Sequence, residues 1–349
     1  MAKRSTVYDV AQAAGVSIAT VSFTFRQPER VRAGTREAVL RAARELDYMP
    51  SASARGLARG RTGALGLFSY DLLLEEPADE PGGEEDFRTY PLYVDEVQRG
   101  FELECARRGQ ALLIGSDPRG EGEGVMDIVG RVDGLAVFPG ARPAELLVPL
   151  ARLLPVVAFA TAADDGVLHH VRVDNRAGIR ALVTHLVRAH GIGDIGFVGE
   201  TRMSDVAERF DGLRLAMADL GLRPPDAVLD PTPVGSAEPF PEVRRLHAAG
   251  ALPRALVCAS DQLALELMDV LDALGVAVPG DVAVTGFDGV VAGRLHRPTL
   301  TTVRQPMEAM GRLAVEILVA ALEDPAAAPQ RHRLPVRPLF RESCGCGRP

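Results

Sequence analysis

The sequence has few of the residues on which several classes of protein depend. Four cysteines in 349 residues are too few for a disulfide framework, and because Lys3 is the only lysine there is no Walker-type phosphate-binding loop. No stretch approaches about 18 consecutive apolar residues, the length that crosses a membrane. The first ten residues lack the apolar core of a secretory signal. These absences predict a cytoplasmic globular protein with no membrane partner.

Residues that carry catalysis or bind metals form no complete set in the sequence. His185 and His190 are five residues apart on a predicted helix, which is poor spacing for two metal ligands. Cys344 and Cys346 are able to bind a metal, but no second cysteine or histidine pair completes a site. No nucleophile motif or zinc-protease motif occurs. We therefore expect no enzyme activity, no metal and no cofactor.

Charge is distributed unevenly along the chain. Residues 1–61 hold 11 Lys and Arg against 5 Asp and Glu, whereas the remaining residues hold 28 against 42. A basic head on an acidic body indicates that the head binds a polyanion and that the body has a different task. The alternative is a basic surface that is only solvated.

The head shows the pattern of three short helices. Thr6 can cap a first helix, Gly15 permits a sharp turn, and Ser17 caps a second helix that runs to about Phe25. The spacing predicts a third helix over residues 35–46. Its apolar stripe consists of Val39, Leu40, Ala43 and Leu46. This order is that of a helix-turn-helix unit, whose second helix enters the major groove of DNA.

A basic segment, "DYMPSASARGLARGRT", follows the third helix. Pro50 ends a helical run, and glycines weaken any helix beyond it. Three arginines surround the apolar Leu57, a combination that suits insertion into a minor groove, where the segment would fold on its partner. The alternative is a plain basic linker.

From about residue 63 the chain alternates strand and helix patterns. The predicted strands are "ALGLFSY", "QALLIGS", "DGLAVFP", "PVVAFA", "HHVRVDN", "DIGFVGE", "RALVCAS" and "DVAVTGF". Amphipathic segments lie between them, including residues 177–190, 204–220 and 262–274. Repeated alternation predicts parallel sheets with helices on both faces, and two such blocks predict two lobes with a ligand cleft between them.

Several of these segments resemble one known family. "YDVAQAAGVSIATVS", "TREAVLRAARELDYMP" and "ARGLARGRT" resemble the head of the lactose-repressor (LacI/GalR) family of transcriptional regulators, and body segments such as "ERFDGLRLAMADLGL" and "VAVTGFDG" also resemble it. The resemblance implies an α/β fold with an N-terminal helix-turn-helix head and a two-lobed periplasmic-binding-protein-like body with parallel sheets. It implies a repressor that a small-molecule effector releases from a near-palindromic operator in double-stranded DNA.

The resemblance also implies a division of the chain into domains. The expected parts are a DNA-binding domain at 1–50, a hinge at 51–61 and an effector-binding and dimerisation domain at 62–349. Within the last, the N-lobe is expected at about 62–160 and 293–325, and the C-lobe at about 161–292 and 326–349.

Site residues follow from the same resemblance. The expected DNA contacts are Thr6, Tyr8, Ser17, Ile18, Ala19, Thr20, Ser22, Phe23, Arg26, Ala54, Arg55 and Leu57. The expected effector contacts are Tyr93, Arg209, Ser260, Asp261, Phe287 and Asp288. A guanidinium opposed to a carboxylate can hold vicinal hydroxyls, which favours a carbohydrate. The alternative is an Arg209–Asp288 bridge that latches two lobes.

Phe23 departs from the family pattern, which usually has Arg at this position. Arg can bind guanine through two hydrogen bonds, whereas Phe23, Ile18 and Ala19 have no side-chain donor. We expect the second helix to favour thymine methyl groups through apolar contact. The alternative is that Phe23 is a core residue and the helix is rotated.

Two features bear on the effector. Ala160 stands where many sugar-responsive relatives have Asp, so one carboxylate is missing. Residues 71–89 carry 8 acidic residues and one arginine, which is typical of a solvated loop or, as the alternative, of a lid that disfavours anions. Two different functions also fit the sequence: a regulator with a nucleobase, a nucleoside or another metabolite as its corepressor, and a solute-binding protein without a DNA function.

A homodimer is expected, and its two-fold symmetry implies a near-palindromic operator. The apolar stripe Met307, Met310, Leu313 and Ile317 is the predicted contribution to its interface.

Overall fold

The computed structural model describes residues 5–48, 61–70, 92–117, 124–140, 144–161, 166–230 and 239–347. The chain divides into two compact units, Met1–Gly63 and Ala64–Pro349. The hinge prediction, apart from Arg61, and the prediction for the acidic segment 71–89 lie outside the described residues.

The first unit consists of three helices, α1 (Val7–Ala14), α2 (Ile18–Arg26) and α3 (Ala33–Glu45). Thr6 and Asp9 form a reciprocal cap at the start of α1, and the Ser17 hydroxyl accepts from the backbone N–H of Thr20 at the start of α2. Gly15 joins the two helices with φ of 65°, a left-handed conformation that glycine adopts without strain. The predicted helix-turn-helix pattern is confirmed.

Three fully buried valines hold these helices together, one from each: Val10, Val21 and Val39. The prediction for α3 was wrong in one respect, since Leu40 is 37% exposed and the face is completed by Ala42 and Ala43. Arg32 precedes α3 and supplies no side-chain cap.

The second unit alternates strands and helices. Its strands are β1 (Ala64–Ser69), β2 (Ala111–Ser116), β3 (Gly134–Phe138), β4 (Val156–Phe159), β5 (His169–Val173), β6 (Ile195–Val198), β7 (Ala255–Cys258), β8 (Ala283–Thr285), β9 (Thr302–Arg304), β10 (Arg331–Leu334) and β11 (Arg337–Leu339). Its helices are α4 (Leu92–Arg108), α5 (Gly124–Val129), α6 (Val148–Ala151), α7 (Asn175–His190), α8 (Ser204–Asp219), α9 (Pro241–Ala248), α10 (Asp261–Ala273), α11 (Ala292–Leu295) and α12 (Met307–Glu323). All eight predicted strands are present within two residues of their predicted limits.

Two parallel sheets organise this unit. The larger has the strand order β10-β5-β4-β3-β1-β2, and the smaller has the order β6-β7-β8. A short antiparallel pair, β11 with β9, lies beside them. The crossovers between parallel strands carry the helices, and the strands of the two sheets other than β2 and β10 are almost completely buried because both of their faces are covered.

The expected boundaries between the two lobes were wrong. Strand β5 pairs with β4, with Val157 opposite His169, and β10 pairs with β5, with Arg331 opposite His170. Residues as far as Val173 therefore continue the first sheet, and the chain returns to that sheet near residue 331. Strand pairing sets the points at which the chain passes between the two sheets. The hydrophobic pattern of the sequence does not encode strand pairing.

Helix α12 packs inside the unit and does not present its apolar stripe outward. Met307, Met310 and Ile317 are at most 1% exposed. A side chain on Gly100 of α4 would meet the carbonyl of Glu308, and one on Gly311 would meet the backbone of α4, so the two helices touch at their backbones. The predicted role of this stripe in a dimer interface was therefore wrong.

Among the helices of the described residues, none combines the length and the apolar character needed to cross a bilayer.

Candidate functional site

An exposed apolar face lies on α2. Ile18 is 40% and Phe23 36% exposed, Ala19 is exposed beside them, and none of the three belongs to the core of the first unit. The ring that packs inward is that of Phe25, whose centre is 6.1 Å from that of Tyr48. The alternative that Phe23 is a core residue was therefore wrong.

Exposed hydroxyls surround that face at the starts of two helices. Thr6 caps α1, and the Ser17 and Thr20 hydroxyl oxygens lie 2.9 Å apart at the start of α2. Tyr8 is 67% exposed on the first turn of α1. Helix N-termini present backbone N–H groups and a positive dipole end, which suit phosphate groups. The predicted contacts Ala54, Arg55 and Leu57 and the side chain of Arg26 lie outside the described part of the chain.

Arg209 lies at the centre of a buried polar cluster in the second unit. It is 5% exposed and follows Asp205 by one turn of α8. Its Nε donates to Oδ1 of Asn175 at 2.9 Å, and Nη1 donates to the carbonyl of Ala259 at 2.6 Å. The guanidinium carbon lies 3.9 Å from the ring centre of Phe287. Of its five N–H groups, three have no hydrogen-bond acceptor among the described residues.

Two carboxylates lie beside this guanidinium. Oδ2 of Asp205 and Oδ1 of Asp288 are each 3.9 Å from an Nη atom of Arg209, which is beyond hydrogen-bond length. Asp288 accepts instead from Nε2 of Gln305 at 2.6 Å. Within the described residues, Oδ1 of Asp205 is buried without a hydrogen-bond partner. Because α8 follows β6 and Asp288 follows β8 of the same sheet, the alternative of an Arg209–Asp288 latch between lobes was wrong.

Asp288 has an unusual backbone conformation. Its φ is 135°, which residues with a side chain rarely adopt and which is found chiefly where surrounding structure imposes it. Hydrogen bonds to the backbone of the following strand impose this conformation. The N–H of Asp288 donates to the carbonyl of Val303, and the carbonyl of Asp288 accepts from the N–H of Gln305, both at 2.9 Å. These bonds hold the carboxylate toward Arg209.

The first sheet contributes the opposite side of the cluster. Tyr93, on the first turn of α4, packs its ring edge-on against Phe138, with the ring centres 5.9 Å apart. Phe138 stacks in turn on Phe159. Ser69, the last residue of β1, lies opposite Phe138 in the strand register. The hydroxyls of Tyr93 and Ser69 are buried, and within the described residues neither has a hydrogen-bond partner.

Burial perturbs the ionisable groups of this cluster. It raises the pKa of Asp288 to about 7, with Arg209 opposing the rise and Asp261 adding to it. It also raises the pKa of the Tyr93 phenol, and the charges of Asp205 and Asp288 raise it further. Groups from both sheets thus act on one another electrostatically, so the cluster spans the carboxyl ends of both sheets, where open α/β folds bind ligands.

Two predicted effector residues, Ser260 and Asp261, have hydrogen-bond partners within the protein. Asp261 is fully buried, and its Oδ2 accepts from the backbone N–H groups of Gly289 and Val290 at 2.7 and 2.8 Å. Its other oxygen accepts from the hydroxyl of Thr302. The Ser260 hydroxyl caps α10 by accepting from the N–H of residue 263. Asp261 therefore braces the loop that carries Asp288.

Sequence reasoning did not find several members of the cluster: Ser69, Asn175, Asp205 and Gln305. One signal was available, since Ser69 and Asn175 lie at or directly after the ends of predicted parallel strands. Ala160, the site of the missing carboxylate, also follows a strand, and its carbonyl accepts from the Ser204 hydroxyl at 3.2 Å. Asp205 lies inside a helix, and nothing in its spacing distinguishes it from a solvated residue.

The histidine and cysteine pairs that the sequence left incomplete lie together. The four donor atoms of His185, His190, Cys344 and Cys346 are all within 4.8 Å of one another. The expectation of no metal site was based on their distance in sequence and was wrong about their proximity in space. His190 ends its helix, so the spacing rule for helix interiors does not apply to it.

Fold and site together define a class: a helix-turn-helix unit joined in one chain to a two-sheet α/β body with a buried polar cluster at the strand ends. Residues 6–51 match the model of the bacterial regulatory proteins, lacI family, and residues 183–344 match the periplasmic binding protein-like domain. The transcriptional repressor PurR of Pasteurella multocida is 30% identical over 332 residues, 92% of each chain. The chain belongs to the lacI family and is a DNA-binding transcriptional regulator.

Further relatives agree with this assignment. The transcriptional regulator GalR of Salmonella typhimurium is 30% identical over 325 residues, which cover 90% of this chain and 89% of the relative. The solved structure of the Lac repressor bound to ONPG in the repressed state matches with a TM-score of 0.79 at 26% identity, covering 98% of this chain and all of the other.

Proposed function

We propose that this regulator represses transcription from a near-palindromic operator and that a carbohydrate bound at the Arg209–Asp288 cluster changes its affinity for DNA. The observation that supports this proposal is a set of buried polar atoms that have no hydrogen-bond partner within the described residues: the hydroxyl oxygens of Tyr93 and Ser69, Oδ1 of Asp205 and Oε1 of Gln305. Buried polar groups are almost always paired, so such a set is best explained by a partner that is polar and carries both donors and acceptors.

Hydroxyl groups match this set better than a planar base does. The aromatic faces near the cluster already have partners, since Phe138 stacks on Phe159 at 4.6 Å and Arg209 covers Phe287 at 3.9 Å. A nucleobase recognised by stacking would have to displace these contacts. The similar regulator CelR, 26% identical with a TM-score of 0.66, has been solved as a cellobiose complex. The two carboxylates disfavour anionic ligands.

Effector control follows from differential affinity. The cluster takes side chains from both sheets, so a ligand that pairs with all of them stabilises one arrangement of the two sheets over others. The direction of the response depends on which arrangement binds DNA. If the effector-bound arrangement releases DNA, the effector is an inducer. If that arrangement binds DNA more tightly, the effector is a corepressor, as expected for the nucleobase or nucleoside alternative.

We also propose that the protein binds DNA as a homodimer through the β2 edge of the larger sheet. Within the described residues β2 has no neighbouring strand on its outer side. Exposed apolar side chains lie on β2 and on the two helices beside it: Ile114 at 47%, Met126 at 54% and Leu103 at 38%. Replacing Ile114 by Glu is expected to convert dimer to monomer in analytical ultracentrifugation, whereas Leu215→Glu, at a 50% exposed site on α8, should not.

The decisive experiment is a gel shift with full-length protein and palindromes from the DNA flanking its gene. Addition of sugars, polyols, nucleosides and nucleobases should reveal one compound that shifts both the DNA affinity and the melting temperature. Arg209→Met should retain DNA binding and lose the response to that compound. Equally weak, salt-sensitive binding to every duplex would contradict the operator proposal, and a nucleobase as the active compound would establish the alternative.

A further inference from the structure

A second polar cluster lies at the other end of α7 from Asn175, the partner of Arg209. It consists of His185, His190, Cys344 and Cys346, and we refer to it as the Cys2His2 cluster. With a rise of about 1.5 Å per residue, His185 and His190 lie about 15 and 22 Å along the helix from Asn175. The Cys2His2 cluster is therefore not part of the effector site.

The distances in the cluster approach those of a tetrahedral metal centre, and all four donor atoms lie within 4.8 Å of one another. The two Nε2 atoms are 3.0 Å apart, and Sγ of Cys346 is 3.2 Å from Nε2 of His185 and 3.5 Å from Nε2 of His190. Sγ of Cys344 is 3.6 Å from Nε2 of His185. Around a tetrahedral zinc ion, with Zn–N about 2.0–2.1 Å and Zn–S about 2.3 Å, neighbouring donor atoms lie about 3.3–3.8 Å apart.

Local structure holds each donor in place. The ring of Phe340 stacks on that of His185, with centres 3.7 Å apart and planes at 13°. Gly345 has φ of 101°, and a side chain there would lie 3.3 Å from the ring of His190. A glycine between the two cysteines thus permits both the turn that directs the thiols to one side and the close approach of the imidazole.

The segment that carries the cysteines is fixed independently of the cluster. The Ser343 hydroxyl donates to the carbonyl of Val284 on β8 at 2.6 Å and accepts from the N–H of Thr301 at 2.8 Å. The Glu342 carboxylate accepts from the N–H and hydroxyl of Thr299 at 2.9 and 3.0 Å. These bonds place the thiols before any ion binds, so little ordering entropy opposes binding.

We propose that the Cys2His2 cluster is a structural zinc site that clasps the C-terminal segment to α7. Two thiols and two imidazoles form a donor set typical of structural zinc, and soft sulfur ligands exclude magnesium and calcium, which prefer oxygen. Four protein donors leave no open position for a substrate, so the site stabilises and does not catalyse. The proposal does not depend on the nature of the effector or the operator.

Metal analysis of the full-length protein tests the proposal directly. Protein purified in reductant, without an affinity tag that binds metals, is expected to retain one zinc per chain after dialysis. Chelation should remove the zinc and lower the melting temperature by several degrees, and one equivalent of zinc should restore it. Magnesium should have no effect. Cobalt added to the chelated protein should produce the visible spectrum of a tetrahedral ion with thiolate charge transfer.

Matched variants separate the cluster from the rest of the chain. Cys344→Ser with Cys346→Ser, or His185→Gln alone, should lose zinc and the cobalt spectrum and should melt at the temperature of the chelated wild type. His247→Gln and Cys105→Ala, which change residues outside the cluster, should retain one zinc. Because Cys105 is 1% exposed, its replacement is expected to affect stability by itself. This variant is therefore a control for zinc content and not for melting temperature.

Three results would overturn the proposal. The first is wild-type protein that binds no zinc in reductant, which would leave the cluster as hydrogen-bonded side chains. The second is the same zinc content in wild type and in the double serine variant, which would indicate adventitious binding elsewhere. The third is a Cys344–Cys346 disulfide, detected as the loss of two hydrogens by mass spectrometry, in protein treated with zinc and reductant.

Discussion

The two units of this protein depart in different ways, at the residues proposed to bind DNA and effector, from the rule that apolar residues are buried and charged residues exposed. The small helical unit exposes Ile18 and Phe23 on its second helix, whereas the large unit buries Arg209, Asp205 and Asp288. Departures of either kind are informative because each carries a free-energy penalty in the isolated chain. An exposed apolar face is expected to meet an apolar partner, and a buried charged cluster is expected to meet a polar one.

Burial of charge by itself does not identify a ligand site. Asp261 and Asp288 are both buried near the end of the same sheet, but Asp261 accepts three hydrogen bonds from protein groups and Asp288 accepts one from a side chain. The first carboxylate is satisfied by the fold, and the second retains acceptor capacity for a ligand. A buried carboxylate is therefore assigned to the fold or to a ligand site by how many of its hydrogen bonds the protein supplies, and not by its burial.

The largest predicted effect is a loss of protein stability when Asp261, the carboxylate whose hydrogen bonds the fold supplies, is replaced. Asp261→Ala leaves the N–H groups of Gly289 and Val290 buried without acceptors, and each such group costs about 1–3 kcal/mol, so the free energy of unfolding should fall by roughly 2–6 kcal/mol. Urea unfolding measures the loss. Asp261→Asn, which retains one acceptor oxygen, is the control and should lose less. An unchanged midpoint for the alanine variant would refute the bracing role.

Arg209 provides the next largest effect, which is measured as a loss of effector binding. Arg209→Met keeps the length of the side chain and removes all donors, so affinity for the effector identified in the screen should fall about 10- to 100-fold, the range expected for charged hydrogen bonds. Isothermal titration measures it. Arg180→Met, at an exposed position on α7, is the matched control. Equal affinity in the two variants would show that the cluster is not the effector site.

Phe23 tests the exposed apolar face. Phe23→Arg supplies a two-pronged donor for guanine, and one good contact of this kind discriminates between bases by about 1–3 kcal/mol. Selection from a randomised operator pool should therefore show a new preference for guanine at one position of each half-site. Phe25→Leu, a change in the core, should leave the selected sequence unaltered. If the base preference is unchanged at every operator position, Phe23 does not face the bases in the major groove.

The smallest effect is a pH dependence of stability that arises from Asp288. Its pKa is raised from 3.8 to about 7 on folding, mainly by burial, so the folded state holds a proton that the unfolded state has lost. Stability associated with this group is complete below about pH 4 and is lost as the pH rises through about 7.

Asp288→Asn does not titrate and removes this loss. The difference in melting temperature between the variant and the wild type should move in favour of the variant from pH 5 to pH 8. Asp281→Asn, at an exposed carboxylate, is the matched control. Parallel pH profiles for wild type and Asp288→Asn would show that the carboxylate is ionised throughout.

Local signals determined much of this protein. Caps and the turn glycine set the three helices of the head, because these depend on neighbours within four residues: Thr6 with Asp9, Gly15, and Ser17 with Thr20. Apolar runs set the eight predicted strands, because a buried parallel strand must be apolar on both faces. The family resemblance supplied Arg209, Asp288 and Tyr93 as effector contacts, and that assignment remains a prediction.

Only the tertiary structure decided which distant residues meet. It placed β5 and β10 in the first sheet, buried the Met307 stripe against α4, brought Tyr93 near Arg209, and joined His185 and His190 to the cysteines at 344 and 346. These outcomes depend on strand order and on contacts across more than a hundred residues. Hydrophobic periodicity records which face of an element is buried, but it does not record which element covers it.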